Sequence, residues 1–229
     1  MIILIAAAVI PAVMLLRYVQ QMDRLEQEPP VLIRRLVLLG LAATVCAAVT
    51  EGIGSAVLSM VFMEGTVIHD LIMYFIVVAV SEEGFKYLFM KRSTWNHPAF
   101  NCMFDGVVYA VAISLGFALF ENIGYVMQYG FGTAVVRAVT AIPGHASFGV
   151  FMGAMYGAAK KASAYGDEAA SRQLRTRALV IPALLHGLYD FIATGESGFY
   201  TILFFVFIFI MFKWAKKTVT QLSSSDHYF

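Results

Sequence analysis

The chain has 229 residues, 60% of them hydrophobic and only 14% charged, with a formal net charge of +1. A soluble domain carries roughly a quarter charged residues, so this chain lacks the polar surface that water demands, and apolar runs of about 20 residues recur along it. That excludes an ordinary soluble domain and argues against a nucleic-acid partner; the chain reads as integral to the cell membrane, multi-pass, with the lipid bilayer as its solvent.

Seven apolar segments run in order over approximately 1–20, 34–62, 67–90, 104–128, 133–159, 178–195 and 198–214. The first lacks the basic stretch and small-residue cleavage site of a signal peptide and reads as a short span. A polar connector with Asp23, Glu26, Glu28 and the break Pro29-Pro30 separates it from the second. The loop after the third carries Lys91, Arg92 and His97-Pro98, and the loop after the fourth is tight and glycine-rich. Lys160 to Arg177 is the longest and most charged connection, consistent with an amphipathic surface piece. With seven crossings, alternate ends collect every Lys and Arg of the sixteen except Arg137. Lys and Arg accumulate on the cytoplasmic side, so the N-terminus is expected outside and the C-terminus in the cytoplasm. The expected architecture is all-α, a polytopic transmembrane bundle of about seven helices. It forms one domain over 1–217, followed by a short cytoplasmic tail over 218–229 that reads as disordered. Cys46 and Cys102 have neither pairing nor metal-ligand spacing and read as packing residues.

Ionisable groups inside an apolar segment must face the bundle interior or a water-filled cavity. Glu82 and Glu83 precede Lys86 by four and three residues, so all three share one helical face. A single Glu–Lys pair, with the lysine reaching toward water, accounts for one glutamate but not two. Two neighbouring carboxylates in low dielectric do not both ionise easily, which suits proton transfer. His186 and Asp190 are also four apart; the carboxylate can fix the imidazole tautomer and leave the other nitrogen free. Pro182 favours a kink or break just before them. His145 heads a stripe with Gly149, Gly153 and Gly157, whose small side chains let helices approach closely, so His145 faces protein or a cavity. Glu121 has no basic neighbour one turn away, so it either stays protonated or finds His145 or His186. Its depth, nearer the outer surface than Glu82 by a rise of ~1.5 Å per residue, makes convergence require a tilted or broken helix or a fourth segment that starts deeper. Asp105 and Glu51 read as structural. Spacing alone leaves a protease and a proton-coupled transporter equally open.

As an ordered set, Glu82-Glu83-x-x-Lys86, Phe117-x-x-x-Glu121-Asn122, Pro143-Gly144-His145 and His186-x-x-x-Asp190 resemble the PrsW family of intramembrane proteases, part of a superfamily with the CAAX prenyl proteases. Ile10-Pro11, Tyr18, Asp23 and Glu28-Pro29 are similar to that family's first helix and connector. The resemblance implies a membrane-embedded peptidase cutting in or near the transmembrane segment of a single-pass substrate, an anti-sigma factor in the best-known bacterial case. The CAAX relatives end the second motif in His where this chain has Glu121, so prenyl-protein processing does not transfer.

Hydrolysis needs a water, a base, an oxyanion stabiliser and an acid for the leaving amine. The expected roles are Glu82 as base with Glu83 tuning it or holding substrate, and His186, oriented by Asp190, with His145 stabilising the oxyanion or donating a proton. Glu121 orients a histidine, and Lys86 and Asn122 support. Either no cofactor is required or a single zinc is held by Glu82, His145 and His186, a known ligand chemistry with room for a water. The alternatives are a proton-coupled transporter and a non-catalytic scaffold like the APH-1 subunit of gamma-secretase.

Overall fold

The computed structural model describes residues 2–229, so Met1, the first residue of the expected first span, lies outside the described residues. The chain runs through α1 (Ile2–Met22), α2 (Pro30–Val61), α3 (Val67–Ile72), α4 (Ala79–Thr94), α5 (Met103–Tyr129), α6 (Phe131–Val139), α7 (Ala141–Ala164), α8 (Glu168–Ala193) and α9 (Gly198–Ser225). Among the described residues there is no strand beyond an isolated bridge, Cys102 to Tyr228. Helices α1, α2, α5, α6 with α7, and α9 are long and apolar enough to cross a membrane. The α3–α4 rod and α8 correspond to the other two of the seven expected segments, and they turn Glu82, Glu83, Lys86 and His186 into the bundle. The protein is an all-α, multi-pass membrane bundle.

Helix α5 is its axis. From Phe104 to Ala118 every residue is buried, because apolar side chains surround this helix on all sides and α1, α2, α4 and α7 pack against it. Glycines set the spacing: a Cβ at Gly106 would meet the Gly153 carbonyl at 2.7 Å, and one at Gly157 would overlap the Met103 carbonyl. The stripe that begins at His145 is therefore the α5-facing side of α7.

Three boundaries differ from expectation. The fifth segment breaks at Thr140, where φ −118° and ψ −71° separate α6 from α7. Pro143, having no N–H, cannot bond back across that break, so the short α6 sets off at its own angle. Pro182, by contrast, lies within a continuous α8. The charged stretch Lys160–Arg177 is no separate surface piece, since α7 and α8 extend through it and leave only a tight turn at 165–167, with Gly166 at φ +81°. The tail expected to be disordered is helical to Ser225. Beyond it, Asp226 accepts hydrogen bonds from the Met103 and Phe104 N–H groups at 3.1 and 3.2 Å, and Phe229 N–H donates to the Asn101 carbonyl at 3.0 Å. Those first-turn amides of α5 lack partners within their own helix, and a carboxylate there satisfies them. The low-complexity serines concealed this.

Candidate active site

Between α3 and α4 the chain makes a π-helical turn, Met73–Val78, in which the Ala79 N–H reaches back to the Tyr74 carbonyl. Such turns insert one extra residue and re-aim the side chains beyond them. Here Phe75 packs on the bare backbone at Gly187, leaving Glu82 and Glu83 facing His186 of α8.

The centre of the constellation is Lys86. Its Nζ lies 3.0 Å from Glu82 Oε2, 2.8 Å from Glu83 Oε1 and 3.2 Å from His145 Nδ1, with the side chain fully buried and the ammonium 3.9 Å from the Phe117 ring centre. The lysine does not reach out to water, and it serves both glutamates rather than one. Glu83 Oε1 is also 3.0 Å from His186 Nδ1, while His186 Nε2 faces Asp190 at 3.4 Å and Glu82 at 3.9 Å. Only Nδ1 is hydrogen-bonded, so one imidazole nitrogen stays available as the spacing suggested, but the carboxylate that holds the ring is Glu83 rather than Asp190. Phe148 stacks on His186 with ring centres 4.8 Å apart, and the two histidine rings meet edge to face at 5.3 Å.

Glu121 joins this group. Its Oε2 is 2.9 Å from His145 Nε2 and forms an ion pair at 2.9 Å with Arg137. Arg137 also donates to Asn122 Oδ1 at 2.9 Å, and Asn122 donates to the Ala8 carbonyl at 3.2 Å, which ties α6, α5 and α1 together. The depth difficulty resolves without tilt. Glu121 and His186 each lie about 27 Å, and His145 about 28 Å, from the end of their helix at one pole of the bundle, at ~1.5 Å per residue. Helix α4 stops short of that pole: Thr94 Oγ1 is 2.9 Å from the Tyr156 hydroxyl, well inside α7. Glu82 therefore sits at the same height as the histidines.

The residues surround a cavity of about 350 Å³, lined by Glu82, Glu121, His145, His186 and Asp190, with Arg137, Tyr125, Tyr189 and Glu51. Glu83 and Lys86 lie behind this lining. Glu51, read as structural from the sequence, belongs to it, and its Oε1 is buried without a partner. Its one signal is that it is the sole carboxylate in the 32 residues of α2. Toward the other pole the bundle is closed by packed aromatic rings, Trp95, Phe100, Tyr109 and Tyr156, with centres 5.1–5.4 Å apart.

Glu82, Glu83, His145 and His186 each offer one donor atom, all within 4.8 Å of one another. Carboxylate and imidazole donors converging so closely are a ligand set that suits zinc.

Residues 28–214 match the family described as PrsW family intramembrane metalloprotease. The chain belongs to the PrsW family. Among its relatives, Protease PrsW of Oceanobacillus iheyensis is 32% identical over 224 residues, covering 96% of this chain and 98% of the relative. Protease PrsW of Bacillus subtilis is 31% identical over 217 residues, 92% and 90% of the two chains, and that of Clostridioides difficile is 29% identical over 212 residues, 90% and 85%. No solved structure matches. The PrsW assignment makes this protein a member of a membrane-embedded peptidase family, integral to the membrane. It also makes the polar cavity among α4, α5, α7 and α8 its candidate active site.

Proposed function

We propose that this protein hydrolyses a peptide bond in or beside the transmembrane segment of a single-pass, membrane-anchored protein, of the anti-sigma-factor type. The observation that carries the reading is the convergence of two glutamates, two histidines and a buried lysine on a closed-ended polar cavity in an otherwise apolar bundle. A transporter needs a second opening, and the aromatic layer from Trp95 to Tyr156 stands where that opening would be.

Glu82 and Glu83 take different roles. Glu82 lines the cavity and Glu83 does not. Glu83 is committed to Lys86 and His186, which it orients. Glu82 is then the base: it takes a proton from a water in the cavity, and the hydroxide oxygen adds to the substrate carbonyl carbon. His186, held at Nδ1 by Glu83, turns its Nε2 to the cavity beside Asp190 and donates to the resulting oxyanion, while His145, whose two nitrogens meet Lys86 and Glu121, packs edge to face on its ring and holds it in place. The proton held by Glu82 passes to the leaving amine as the C–N bond breaks. A preorganised pair of histidines costs little reorganisation at that moment, and their carboxylate partners supply the preorganisation.

The same residues fit a metal. Glu82, His145 and His186 all line the cavity and would hold a zinc ion, which when bound lowers the pKa of a coordinated water and polarises the carbonyl. Two of those donors now meet Lys86, so an ion would take over contacts that the ammonium makes. In that case Glu83 and Glu121, each bonded to one of the histidines, hold the ligands in orientation.

The test is cleavage by purified protein in proteoliposomes of candidate single-pass substrates, with sequencing of the cut ends, before and after chelation. Cutting at one position inside or beside the substrate's apolar segment is expected. Parallel zinc analysis assigns the water: activity that survives chelation in zinc-free protein belongs to the glutamate route. Intact substrates throughout a panel of anti-sigma-like proteins would remove the protease reading.

A further inference from the structure

A second acidic cluster lies about 24 Å from the first by helix rise along α5, where the α1–α2 connector meets the start of α5. Asp23, Glu28 and Asp105 each place one carboxylate oxygen within 4.8 Å of the others, and all three residues are buried. Part of the cluster is satisfied. Asp105 Oδ2 accepts from the Asn101 and Cys102 N–H groups at 2.9 Å each, its Oδ1 accepts from the Cys102 thiol at 2.7 Å, and Glu28 Oε2 accepts from the Tyr109 hydroxyl at 2.7 Å. The rest is not. Asp23 is only 8% exposed, and neither of its oxygens has a partner; Glu28 Oε1 and the neighbouring Asn101 Oδ1 are likewise buried and unpaired. Among the described residues no Lys or Arg forms a salt bridge with any of the three carboxylates. Buried carboxylates without hydrogen-bond donors or counter-charges cost several kcal/mol each, and such groups are paired or coordinate metals.

We infer that Asp23, Glu28 and Asp105 form a binding site for a hard divalent cation, calcium or magnesium, that clamps the α1–α2 connector to the start of α5. The donors are all oxygen, the chemistry these ions take. A span of up to 4.8 Å between donors is what two opposed calcium–oxygen bonds of about 2.4 Å cover; magnesium, with bonds near 2.1 Å, fits if it keeps some of its waters. A shared proton is the competing arrangement. A proton shared between Glu28 and Asp105 would leave both oxygens of Asp23 without a partner. With no ion, burial and the neighbouring carboxylates push Asp23 up to about 7 and Glu28 up to about 9. The site is separate from the catalytic cavity and shares no residue with it.

The decisive experiment is equilibrium dialysis of the full chain in detergent micelles against radioactive calcium, with magnesium as competitor, alongside thermal unfolding in calcium, magnesium and chelator. The variants are Asp23→Asn, Glu28→Gln and, as a control at the catalytic cavity, Glu82→Gln. Asp23 makes no hydrogen bond that asparagine would lose, so its variant is expected to fold, as circular dichroism checks. One ion per chain is expected in the wild type and in Glu82→Gln. Affinity should fall by about 10- to 100-fold or more in the Asp23 and Glu28 variants. The melting temperature should drop on chelation in the wild type and in Glu82→Gln, and stay unchanged in the Asp23 and Glu28 variants. If folded wild-type protein binds neither ion, or if either the Asp23 or the Glu28 variant binds like the wild type, the cluster is proton-shared and the inference fails.

Discussion

At the scale of single residues, the candidate site turns on a lysine that water does not reach. Lys86 holds Glu82 and Glu83 together and touches His145. Removing one member of a buried ionic group strands the charge left behind, at about 3–5 kcal/mol. Lys86→Met is therefore expected to destabilise the fold by about that amount in unfolding measured in micelles. The same change in a Glu82→Gln/Glu83→Gln background should cost much less, because no charge is stranded; equal costs in both backgrounds would contradict the pairing. Activity separates from stability. Glu82→Gln, Glu83→Gln and His186→Ala should each reduce cleavage by at least about 10²-fold, the contribution of a positioned acid or base, while the protein still inserts. Full activity in all three would end the protease reading. The glutamates and the lysine were legible from spacing alone, since i+3 and i+4 define one helical face. The depth of Lys86 was not, because counting basic residues at segment ends treats each as seeking water, and only the packed structure shows three acceptors deep enough to hold it inside. Arg137 escaped for another reason: no local spacing links residues 121 and 137, and the break at Thr140 that turns α6 back is a tertiary feature.

At the scale of elements, two close approaches position the candidate catalytic groups. One is α5 against α7. A Cβ at Gly157 would overlap the Met103 backbone, and backbone, unlike a side-chain tip, has nowhere to turn. Gly157→Ala is expected to destabilise by about 1–3 kcal/mol, the usual cost of overpacking. Gly124→Ala, on α5 but with nothing within 4 Å, should be neutral or gain up to about 1 kcal/mol of helix propensity. Unfolding of the two variants side by side checks this, and similar stabilities would mean that the α5–α7 seam is looser than described. The small-residue stripe was legible in the sequence, since its i, i+4 spacing is specific. The second approach, Phe75 on Gly187, was not, because an inserted residue in a π-helical turn has no periodicity of its own and registers only as a shift in phase. That shift lets one helix present Glu82 and Glu83 to α8, although the segment before them packs elsewhere.

At the scale of the whole molecule, the bundle has two unlike poles. Hydrogen bonds gather the ends of α1, α7 and α9 with the starts of α5 and α8 at one pole and tie the shorter α4 to it: Ser223 donates to the Met22 carbonyl, Lys160 to the Trp95 carbonyl at 2.8 Å, Asn101 to Glu26 at 2.6 Å, and Ser163 to Glu168 at 2.5 Å. Apart from Lys86 and Arg137, the Lys and Arg residues lie toward this pole along the chain, and it is the pole sealed by aromatic rings. The candidate active-site cavity reaches instead toward Tyr125, Ala193 and Thr194, beside the far ends of α5 and α8. If basic residues mark the cytoplasm, substrate and water reach the site from outside, and a peptide bond near the outer end of a substrate's transmembrane segment is the one within reach. This is open to direct test in a chain whose two native cysteines, Cys46 and Cys102, are replaced. A membrane-impermeant thiol reagent applied to spheroplasts is expected to label Gly130→Cys and Thr194→Cys and to spare Gly166→Cys until the membrane is opened. A competitor peptide that occupies the cavity should protect Thr194→Cys, at its rim, and leave Gly130→Cys reactive. The reverse labelling pattern would place the cavity mouth in the cytoplasm, and the substrate bond would then have to be sought at the inner end of its membrane segment.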